Sequence, residues 1–371
     1  MARRDKGSGS VYQRTDGRWV AQLTTHGVRR YAYSTTEREA KARLKELQQQ
    51  AQQGTLRAVT HQTLADYLDW WLATAKPKLK PTTHEWYCTI LSTHAIPTLG
   101  TTKLDRLSPM QCASLYAEKL MTLSPTSVRH VHNVLRKALN DAVRLDLIGA
   151  NPCLKVDPPR PERVEPALWS DEDLRRFVAS EQAKPTRWTS LWLTLLATGM
   201  RIGEALGLTW ERVDLERGCL AVEQAIVFVD NKPVLTTPKS KTSRRVIAVP
   251  SIGIQALRRQ RALQAEDKLR LGAEWPGGDF VFLTSTGHHP ERGDLRKRLH
   301  EVCARAGLAP IRIHDLRHLS ASLLVQGGAD VKSVQKRLGH ASLQTTLGIY
   351  AHVLGSSDLA LAAALDTALG G

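Results

Sequence analysis

The spacing of apolar and polar residues at the start of the chain predicts a small sheet followed by one helix. Residues 10–34 contain three short β-rich runs, which an Asp-Gly and a His-Gly dipeptide separate. Such dipeptides favour tight hairpin turns, so the runs are expected to form a three-stranded meander. Thr36 lies three positions before Glu39, as in a capping box, and residues 39–53 are rich in helix formers. We therefore predict a βββα unit over residues 1–55.

The next segment has a helical pattern throughout. From Leu64 onward, apolar positions recur at helical spacing, and no strand pattern interrupts them. Ser124 and Pro125 indicate one helix start, because serine is a favoured N-cap and proline is favoured at the first helical position. Residues 151–166 contain five prolines, too many for a helix or a central strand. We predict an all-α domain over 60–157 and a domain boundary after it.

The remaining chain mixes the two patterns. Ser170 has an aspartate three positions later, which indicates a helix start, and residues 219–250 contain strand-like runs around an Asp-Asn hairpin turn. From Ile252 onward the apolar spacing is again mostly helical. We predict a mixed, mainly helical domain with a small antiparallel sheet over 165–355. The fold class of the whole chain is multidomain α+β and mainly helical.

Length and composition agree with several folded units. A chain of 371 residues is too long for one ordinary core and suggests roughly two or three domains. No apolar run is long enough to span a membrane, and no N-terminal secretory segment is present, so we expect a soluble protein without a membrane partner. The five cysteines form no C-x-x-C pair, which indicates neither disulfides nor a zinc site.

The net charge of +16 is the first indication of function. A compact protein with this excess attracts polyanions and releases counterions on binding, so nucleic acid is the leading partner. The predicted N-terminal sheet contains basic residues that suit a DNA groove, namely Arg14, Arg18, Arg29 and Arg30. The competing interpretation is a basic, solvated surface without a partner, and charge alone does not decide between the two.

Three motifs in the last segment contain groups suited to phosphate chemistry. The first, ATGMRIGEALGL, has a glycine that permits a tight turn just before Arg201 at the start of a helix. The second, HDLRH, contains His314 and Arg317, which are three positions apart and share one helix face. The third, LGHASLQTTLGIY, has His340 after a glycine and Tyr350 on the following helix.

Each motif alone has a plain structural explanation, as a surface cation, a helix cap or a half-buried tyrosine. Together they supply two guanidinium groups, two imidazoles and a phenol, without a cluster of carboxylates able to hold two metal ions. This set fits metal-free attack on a phosphodiester. The arginines would neutralise charge on the non-bridging oxygens, and the oxygen of Tyr350 would be the nucleophile.

In order and spacing, these motifs resemble the signature of the tyrosine recombinases, in particular the phage-type integrases. The resemblance extends over the whole chain. It implies an arm-type DNA-binding domain at 1–55, a helical, SAM-like core-binding domain at 60–157 and the catalytic domain at 165–355. A tail helix at 356–371 would then pack onto a neighbouring subunit, although its apolar face could also fold back onto its own domain.

The resemblance also implies a role for each candidate residue. The catalytic lysine lies on a β-hairpin, where the sequence offers Lys239 and Lys241. We favour Lys241, from the Lys-Thr pair before the final strand, while Lys239 stays open. This lysine would protonate the leaving 5′-oxygen. His314 would act as the base, and His340 would hydrogen-bond the phosphate.

Three further residues are given supporting roles. Glu204 lies three positions after Arg201 and would orient that arginine or its helix. His318 would be structural rather than catalytic, and Asp315 is interpreted as serving local capping or orientation. No cofactor is implied, because one phosphodiester bond is exchanged for another, and the sequence contains no Walker A loop.

The implied function is integration, and also excision, of a phage or integrative element at attachment sites, through a 3′-phosphotyrosyl intermediate. The implied partners are double-stranded DNA with arm-type and core-type sites, three further copies of the chain in a tetramer, an excisionase and a host DNA-bending protein. The implied location is the nucleoid in the cytoplasm of a bacterial host. The alternatives are a chromosome-dimer resolvase, a type IB-like topoisomerase and a DNA-binding regulator without catalysis.

Overall fold

The computed structural model describes residues 9–25, 28–52, 62–161, 169–237 and 244–339. The chain divides into two compact units, and the boundary between them falls at Arg163 and Val164. None of the described helices is both long and apolar enough to cross a membrane.

The N-terminal part of the first unit is the predicted three-stranded sheet and helix. Its elements are β1 (Ser10–Gln13), β2 (Trp19–Thr25), β3 (Val28–Ser34) and α1 (Glu37–Gln52). The strands pair antiparallel in the order β1, β2, β3, and α1 packs on the sheet, where Leu23 and Ala40 are buried. Thr36 caps α1 by accepting a hydrogen bond from the backbone N–H of Glu39. The prediction of a βββα unit is confirmed, while the predicted His-Gly turn lies outside the described residues.

A helical core forms the rest of the first unit. Its helices are α2 (Leu64–Ala75), α3 (Pro81–Ile90), α4 (Ile96–Leu99), α5 (Pro109–Leu120) and α6 (Pro125–Arg144). Tyr67, Leu115 and Leu135 are fully buried between them. Ser124 accepts a hydrogen bond from the backbone N–H of Ser127, which makes it the N-cap expected from the sequence. The described part of this region between α2 and α6 is helical, as predicted.

The second unit combines helices with short strands. Its helices are α7 (Asp171–Ala183), α8 (Thr189–Thr198), α9 (Ile202–Leu206), α10 (Ser251–Leu271), α11 (Arg292–Arg305), α12 (Ile313–Gln326) and α13 (Val331–Leu338). Its strands are β4 (Val213–Asp214), β5 (Cys219–Val222), β6 (Ala225–Val229), β7 (Lys232–Thr236) and β8 (Arg245–Ala248). Fully buried Phe177, Trp192 and Phe282 lie in its core.

The strands of this unit form two antiparallel sheets rather than one. β4, β5 and β8 form the first sheet, and β6 and β7 form a separate hairpin. Asp230 and Asn231 turn that hairpin with positive φ angles of 48° and 59°, as the sequence indicated. β8, which follows residues 238–243, pairs with β5 and not with the hairpin strands. It therefore lies against the core.

Candidate active site

A glycine turn positions the first candidate arginine. α8 ends at Thr198, and Gly199 takes a left-handed conformation with φ of 66°. The chain thereby reverses, and Arg201 becomes the N-cap residue of the short helix α9. Its backbone N–H donates to the Glu204 carboxylate at 3.0 Å, which satisfies one of the unpaired donors at the start of a helix.

The Arg201 side chain has one charged and one neutral partner. Its Nη1 donates to Glu204 Oε1 at 2.8 Å, and its Nη2 donates to the carbonyl oxygen of Gly339 at 3.3 Å. The side chain is 39% exposed, whereas that of Glu204 is 5% exposed. Arg201 therefore presents its charge at the surface while a buried carboxylate holds it in place.

Arg317, unlike Arg201, is almost fully buried. It lies on α12 and is only 2% exposed. Its Nη1 donates to the carbonyl of Gly199 and its Nη2 to the carbonyl of Leu338, both at 2.7 Å. Arg317 thus joins α12 to the glycine turn before Arg201 and to the end of α13.

The two candidate arginines meet at one point of the backbone. Arg317 donates to the carbonyl of Leu338, and Arg201 donates to the carbonyl of the next residue, Gly339. His340 follows directly in sequence. Two guanidinium groups from separate motifs, more than 100 positions apart, therefore contact consecutive residues at the start of the third motif.

His314 lies within electrostatic reach of both arginines. It keeps an exposed surface near the start of α12, and its ring stacks edge to face on that of His318, with 4.8 Å between the centroids. Partial burial, followed by the charges of His318, Arg317 and Arg201, lowers the pKa of His314 to about 4. At neutral pH the free protein therefore holds this imidazole uncharged and able to accept a proton.

The acid sensitivity of the fold should depend in part on His314. Below its ordinary pKa, an unfolded chain protonates this histidine, but the folded chain does so only near pH 4. Since the folded state then binds fewer protons, stability falls as the pH drops from about 7 to 4. We expect the melting temperature of His314→Gln to fall less than that of wild type over this pH interval. Thermal denaturation at several pH values checks this, and equal losses in both proteins would contradict it.

The neighbours of His314 have structural contacts. Asp315 is buried and caps α12, because its carboxylate accepts from the backbone N–H of Arg312 at 2.8 Å and also pairs with the Arg312 guanidinium. Burial raises the pKa of Asp315, but the Arg312 hydrogen bonds outweigh it, so the pKa lies below its ordinary value. The interpretation of Asp315 as a cap is confirmed. His318 is half-buried, and burial lowers its pKa.

A second buried arginine completes the contacts of Glu204. Arg245, at the start of β8, donates from Nη2 to Glu204 Oε2 at 2.9 Å, and both side chains are 5% exposed. Burial alone would raise the pKa of Glu204, but the hydrogen bond and charge of Arg245, together with Arg201, lower it. Glu204 is therefore ionised and shared between two guanidinium groups.

Sequence reasoning missed Arg245 and Arg337. The Nε of Arg245 donates to the carbonyl of Arg337 at 2.6 Å, and Arg337 Nη2 donates to the carbonyls of Ala197 and Ala248 at 3.0 Å. One signal was available: Arg245 precedes the buried Ile247 by two strand positions, so both belong to the same face of β8. Arg337, in contrast, lies in a basic stretch of α13 that resembles a solvated helix end.

Substitution of Gly199 should destabilise the second unit. A Cβ added there would lie 2.5 Å from Leu338 Cδ2, and the positive φ is itself unfavourable for alanine. Strain and overlap together predict that Gly199→Ala lowers the free energy of unfolding by about 2–4 kcal/mol. Urea denaturation measures the change.

Gly218 provides the matched control for this prediction. It has the same φ of 66°, but its added Cβ would approach only the Val249 carbonyl oxygen, at 3.7 Å. Gly218→Ala should therefore cost only the backbone strain, about 1 kcal/mol. Equal losses in the two variants would show that contact with Leu338 has no part in the effect.

The structure describes the side chains of two of the four N-terminal basic residues. Arg14 and Arg18 are exposed and lie 6.0 and 5.9 Å from the ring centre of Tyr33, where both also pair with Asp16. Arg29 and Arg30 lie on β3, in register with residues 24 and 23, but their side chains are outside the described set. Two of the four predicted DNA contacts thus form one exposed cluster with an aromatic ring.

Several predicted site residues lie outside the described ranges. They are Lys239, Lys241, His340, Tyr350 and the tail 356–371. Their assigned roles stay predictions. Within the described ranges, no group of three or more His, Cys, Asp and Glu side chains is placed to hold a metal ion.

Two family models match the chain. The model of the phage integrase family matches residues 170–356, which is half of the chain. The model of the phage integrase N-terminal SAM-like domain matches residues 63–121, within the helical part of the first unit. The first match contains the motifs of Arg201, His314 and Tyr350.

Known proteins are similar over nearly the whole length. The ICEBs1 integrase of Bacillus subtilis (strain 168) is 26% identical over 352 residues, which cover 94% of each chain. A tyrosine recombinase described as XerC-like, from Caldanaerobacter subterraneus subsp. tengcongensis, is 29% identical over 349 residues, which cover 88% of each chain. A crystal structure of a lambda integrase tetramer bound to a Holliday junction shares the fold, with a TM-score of 0.58 and 17% identity over 92% of this chain and 94% of that chain.

Proposed function

The chain belongs to the phage integrase family of tyrosine recombinases, which are site-specific DNA recombinases, and we propose that Tyr350 is its nucleophile. The Tyr350 oxygen attacks the scissile phosphate. A phosphorus–oxygen bond forms to tyrosine, the bond to the 5′-oxygen breaks, and a 3′-phosphotyrosyl link and a 5′-hydroxyl result. That hydroxyl, or one from a partner strand, reverses the step, so neither ATP nor another energy source is consumed.

One observation supports this assignment most strongly. Arg317 donates to the carbonyl of Leu338 and Arg201 to the next carbonyl, that of Gly339, just before His340. Such an arrangement brings two positive charges to the start of the segment that contains Tyr350. Preorganised charges of this kind stabilise the negative charge that develops on the phosphate oxygens in the transition state.

His314 is proposed as the base that takes the tyrosine proton. A phenol with an ordinary pKa near 10 is mostly protonated at neutral pH, so the attack requires such a group. In the free protein partial burial, and then the charges of His318, Arg317 and Arg201, keep the pKa of His314 low. A bound phosphate offsets those charges and raises the pKa of His314, which makes the imidazole a stronger base only when DNA is in place.

The remaining assignments follow from the family motifs. Lys241, with Lys239 as the alternative, protonates the leaving 5′-oxygen, and His340 hydrogen-bonds the phosphate. Glu204 orients Arg201, and His318 supports His314 through its edge-to-face contact.

The domain roles are proposed by the same reasoning. Residues 1–55 bind arm-type DNA through the cluster of Arg14 and Arg18 beside Tyr33, with Arg29 and Arg30. Residues 60–157 bind core-type DNA, in line with the SAM-like match. Residues 165–355 perform catalysis.

The biological assembly is proposed from the relatives. The integrase names of similar proteins favour integration and excision of a mobile element in the cytoplasm of a bacterial host, at the nucleoid. The lambda integrase structure is a tetramer on a Holliday junction, and we extend this stoichiometry to the present chain. The tail 356–371 then contacts a neighbouring subunit, and an excisionase and a DNA-bending host protein set the direction.

The test begins with the DNA site. Sheared DNA of the source cell is incubated with the protein and denatured with detergent, and the covalently captured fragments are sequenced. Two copies of the recovered site are then placed on a supercoiled plasmid. A recombinase exchanges the segments between the sites, whereas a type IB-like topoisomerase relaxes the plasmid without exchange, and a non-catalytic regulator captures nothing. Relaxation alone, or no capture, would overturn the proposal.

A further inference from the structure

We propose that Arg245 is a positioning residue that keeps the charge of Arg201 available to the DNA phosphate. It lies at the first position of β8 and belongs to none of the three motifs. The inference rests on the proposed function, because it concerns how the same site is held together. It contacts Glu204, which also binds Arg201, and the carbonyl of Arg337 near the end of α13.

The charges of three side chains support this role. The Glu204 carboxylate binds Arg245 through Oε2 at 2.9 Å and Arg201 through Oε1 at 2.8 Å. Two guanidinium groups and one carboxylate leave one net positive charge. Because the Arg245 side chain is 5% exposed and that of Arg201 is 39% exposed, the surplus charge faces solvent at Arg201.

The loss of Arg245 should therefore act through Arg201. Without the buried partner, the ionised Glu204 would have Arg201 as its remaining counter-charge among these three groups, and the pair would be neutral. A neutral pair attracts a phosphate much less than a surplus cation does. The buried arginine thus allows the carboxylate to orient Arg201 without cancelling its charge.

Arg245 and Arg337 together connect the backbones of β8, α13 and α8. Its Nε donates to the Arg337 carbonyl at 2.6 Å, two residues before Gly339, which Arg201 contacts. Arg337 donates in return to Ala248 on β8 and to Ala197 on α8. Residues 238–243, with both candidate lysines, directly precede the strand that Arg245 begins. The Arg245 guanidinium therefore contacts the carboxylate that holds Arg201 and the end of α13, which His340 follows in sequence.

The experiment compares cleavage rates on a nicked suicide duplex built from the captured site. In this substrate the tyrosyl adduct accumulates, because the cleaved fragment diffuses away. At saturating protein, Arg245→Met should cleave about 30-fold more slowly than wild type while its DNA affinity changes by less than about 3-fold. The cleavage rate of Arg245→Lys should lie within about 5-fold of the wild-type rate, because an ammonium group also neutralises Glu204.

A double-mutant cycle separates positioning from a general effect on folding. In an Arg201→Lys background, Arg245→Met should slow cleavage further by less than about 3-fold, because the group through which it acts is already impaired. Arg187→Met is the matched control: Arg187 pairs with buried Asp267 in the same unit, at 2.8 Å from Nη1, and has no described contact with the site. It should lose stability without a change in cleavage.

Each outcome supports or overturns the proposal. A wild-type cleavage rate in Arg245→Met overturns it. An equal fold-decrease in cleavage rate from Arg245→Met in the wild-type and Arg201→Lys backgrounds also overturns it. If Arg245→Met fails to fold, the cleavage rates of Arg245→Lys, Arg201→Lys and the double variant provide the same test. Rate decreases that multiply in the double variant would show that the two residues act independently and would overturn the proposal. The absence of any adduct in wild type would instead overturn the proposed function.

Discussion

Tyr350→Phe should abolish covalent capture of DNA and all strand exchange. The substitution removes the one oxygen that is proposed to attack phosphorus and leaves the aromatic ring in place. Without that oxygen no phosphotyrosyl link can form, so the rate should fall on the order of 10⁴-fold or more. DNA affinity should stay within about 2-fold, since groove and phosphate contacts by other residues supply the binding energy. Gel analysis of adducts on the nicked duplex and a mobility-shift titration measure the two quantities.

Tyr116→Phe is the control for hydroxyl loss. Tyr116 is buried in the helical part of the first unit, where its hydroxyl contacts Cys153 Sγ at 3.4 Å and His132 Nδ1 at 3.1 Å. Its loss should lower the free energy of unfolding by about 1 kcal/mol and leave adduct formation unchanged. Adduct formation by Tyr350→Phe at the wild-type rate would exclude Tyr350 as the nucleophile.

Arg317→Lys should have the second largest effect. The planar guanidinium reaches two carbonyls at once, those of Gly199 and Leu338, and an ammonium group on a shorter, flexible side chain cannot reproduce that geometry. The cleavage rate should fall on the order of 10²- to 10³-fold, because a preorganised charge is displaced. Since a buried charge also loses hydrogen bonds, the free energy of unfolding should fall by about 2–3 kcal/mol. Single-turnover cleavage and urea denaturation check both values.

Arg312→Lys, at the N-cap of the same helix, is the matched control. Arg312 also pairs with a carboxylate, that of Asp315, but its side chain is 70% exposed. Pairs with an exposed partner contribute little, so this change should alter stability by less than about 1 kcal/mol and should not alter cleavage. Cleavage by Arg317→Lys within 10-fold of wild type would contradict the proposed phosphate role of Arg317.

Local structure could be predicted well from the sequence. Ser124, Ser170 and Thr36 each cap the helix expected from its pattern, because capping depends on residues three positions apart. Gly199 forms the expected left-handed turn, and Arg201 begins the expected helix. In each case the interacting groups are neighbours in sequence, so a pattern of a few residues is sufficient.

Contacts between distant segments could not be predicted in this way. The burial of Arg317 depends on carbonyls that are 118 and 21 positions away. Arg245 and Arg337 appeared as ordinary basic residues. In the structure they donate to the Glu204 carboxylate and to three backbone carbonyls, those of Arg337, Ala197 and Ala248. The order of the sheet was missed for the same reason, since β8 pairs with β5 across an intervening hairpin. Such interactions depend on which elements pack together, and residue spacing contains little of that information.

The most direct measurement identifies the amino acid that is joined to DNA. Wild-type protein is trapped on the nicked suicide duplex and digested with trypsin and nuclease, and the adduct is sequenced by tandem mass spectrometry. We expect a nucleotide attached through its 3′-phosphate to the hydroxyl of Tyr350, in the peptide that follows Arg337. Attachment to any other residue, or through a 5′-phosphate, would contradict it.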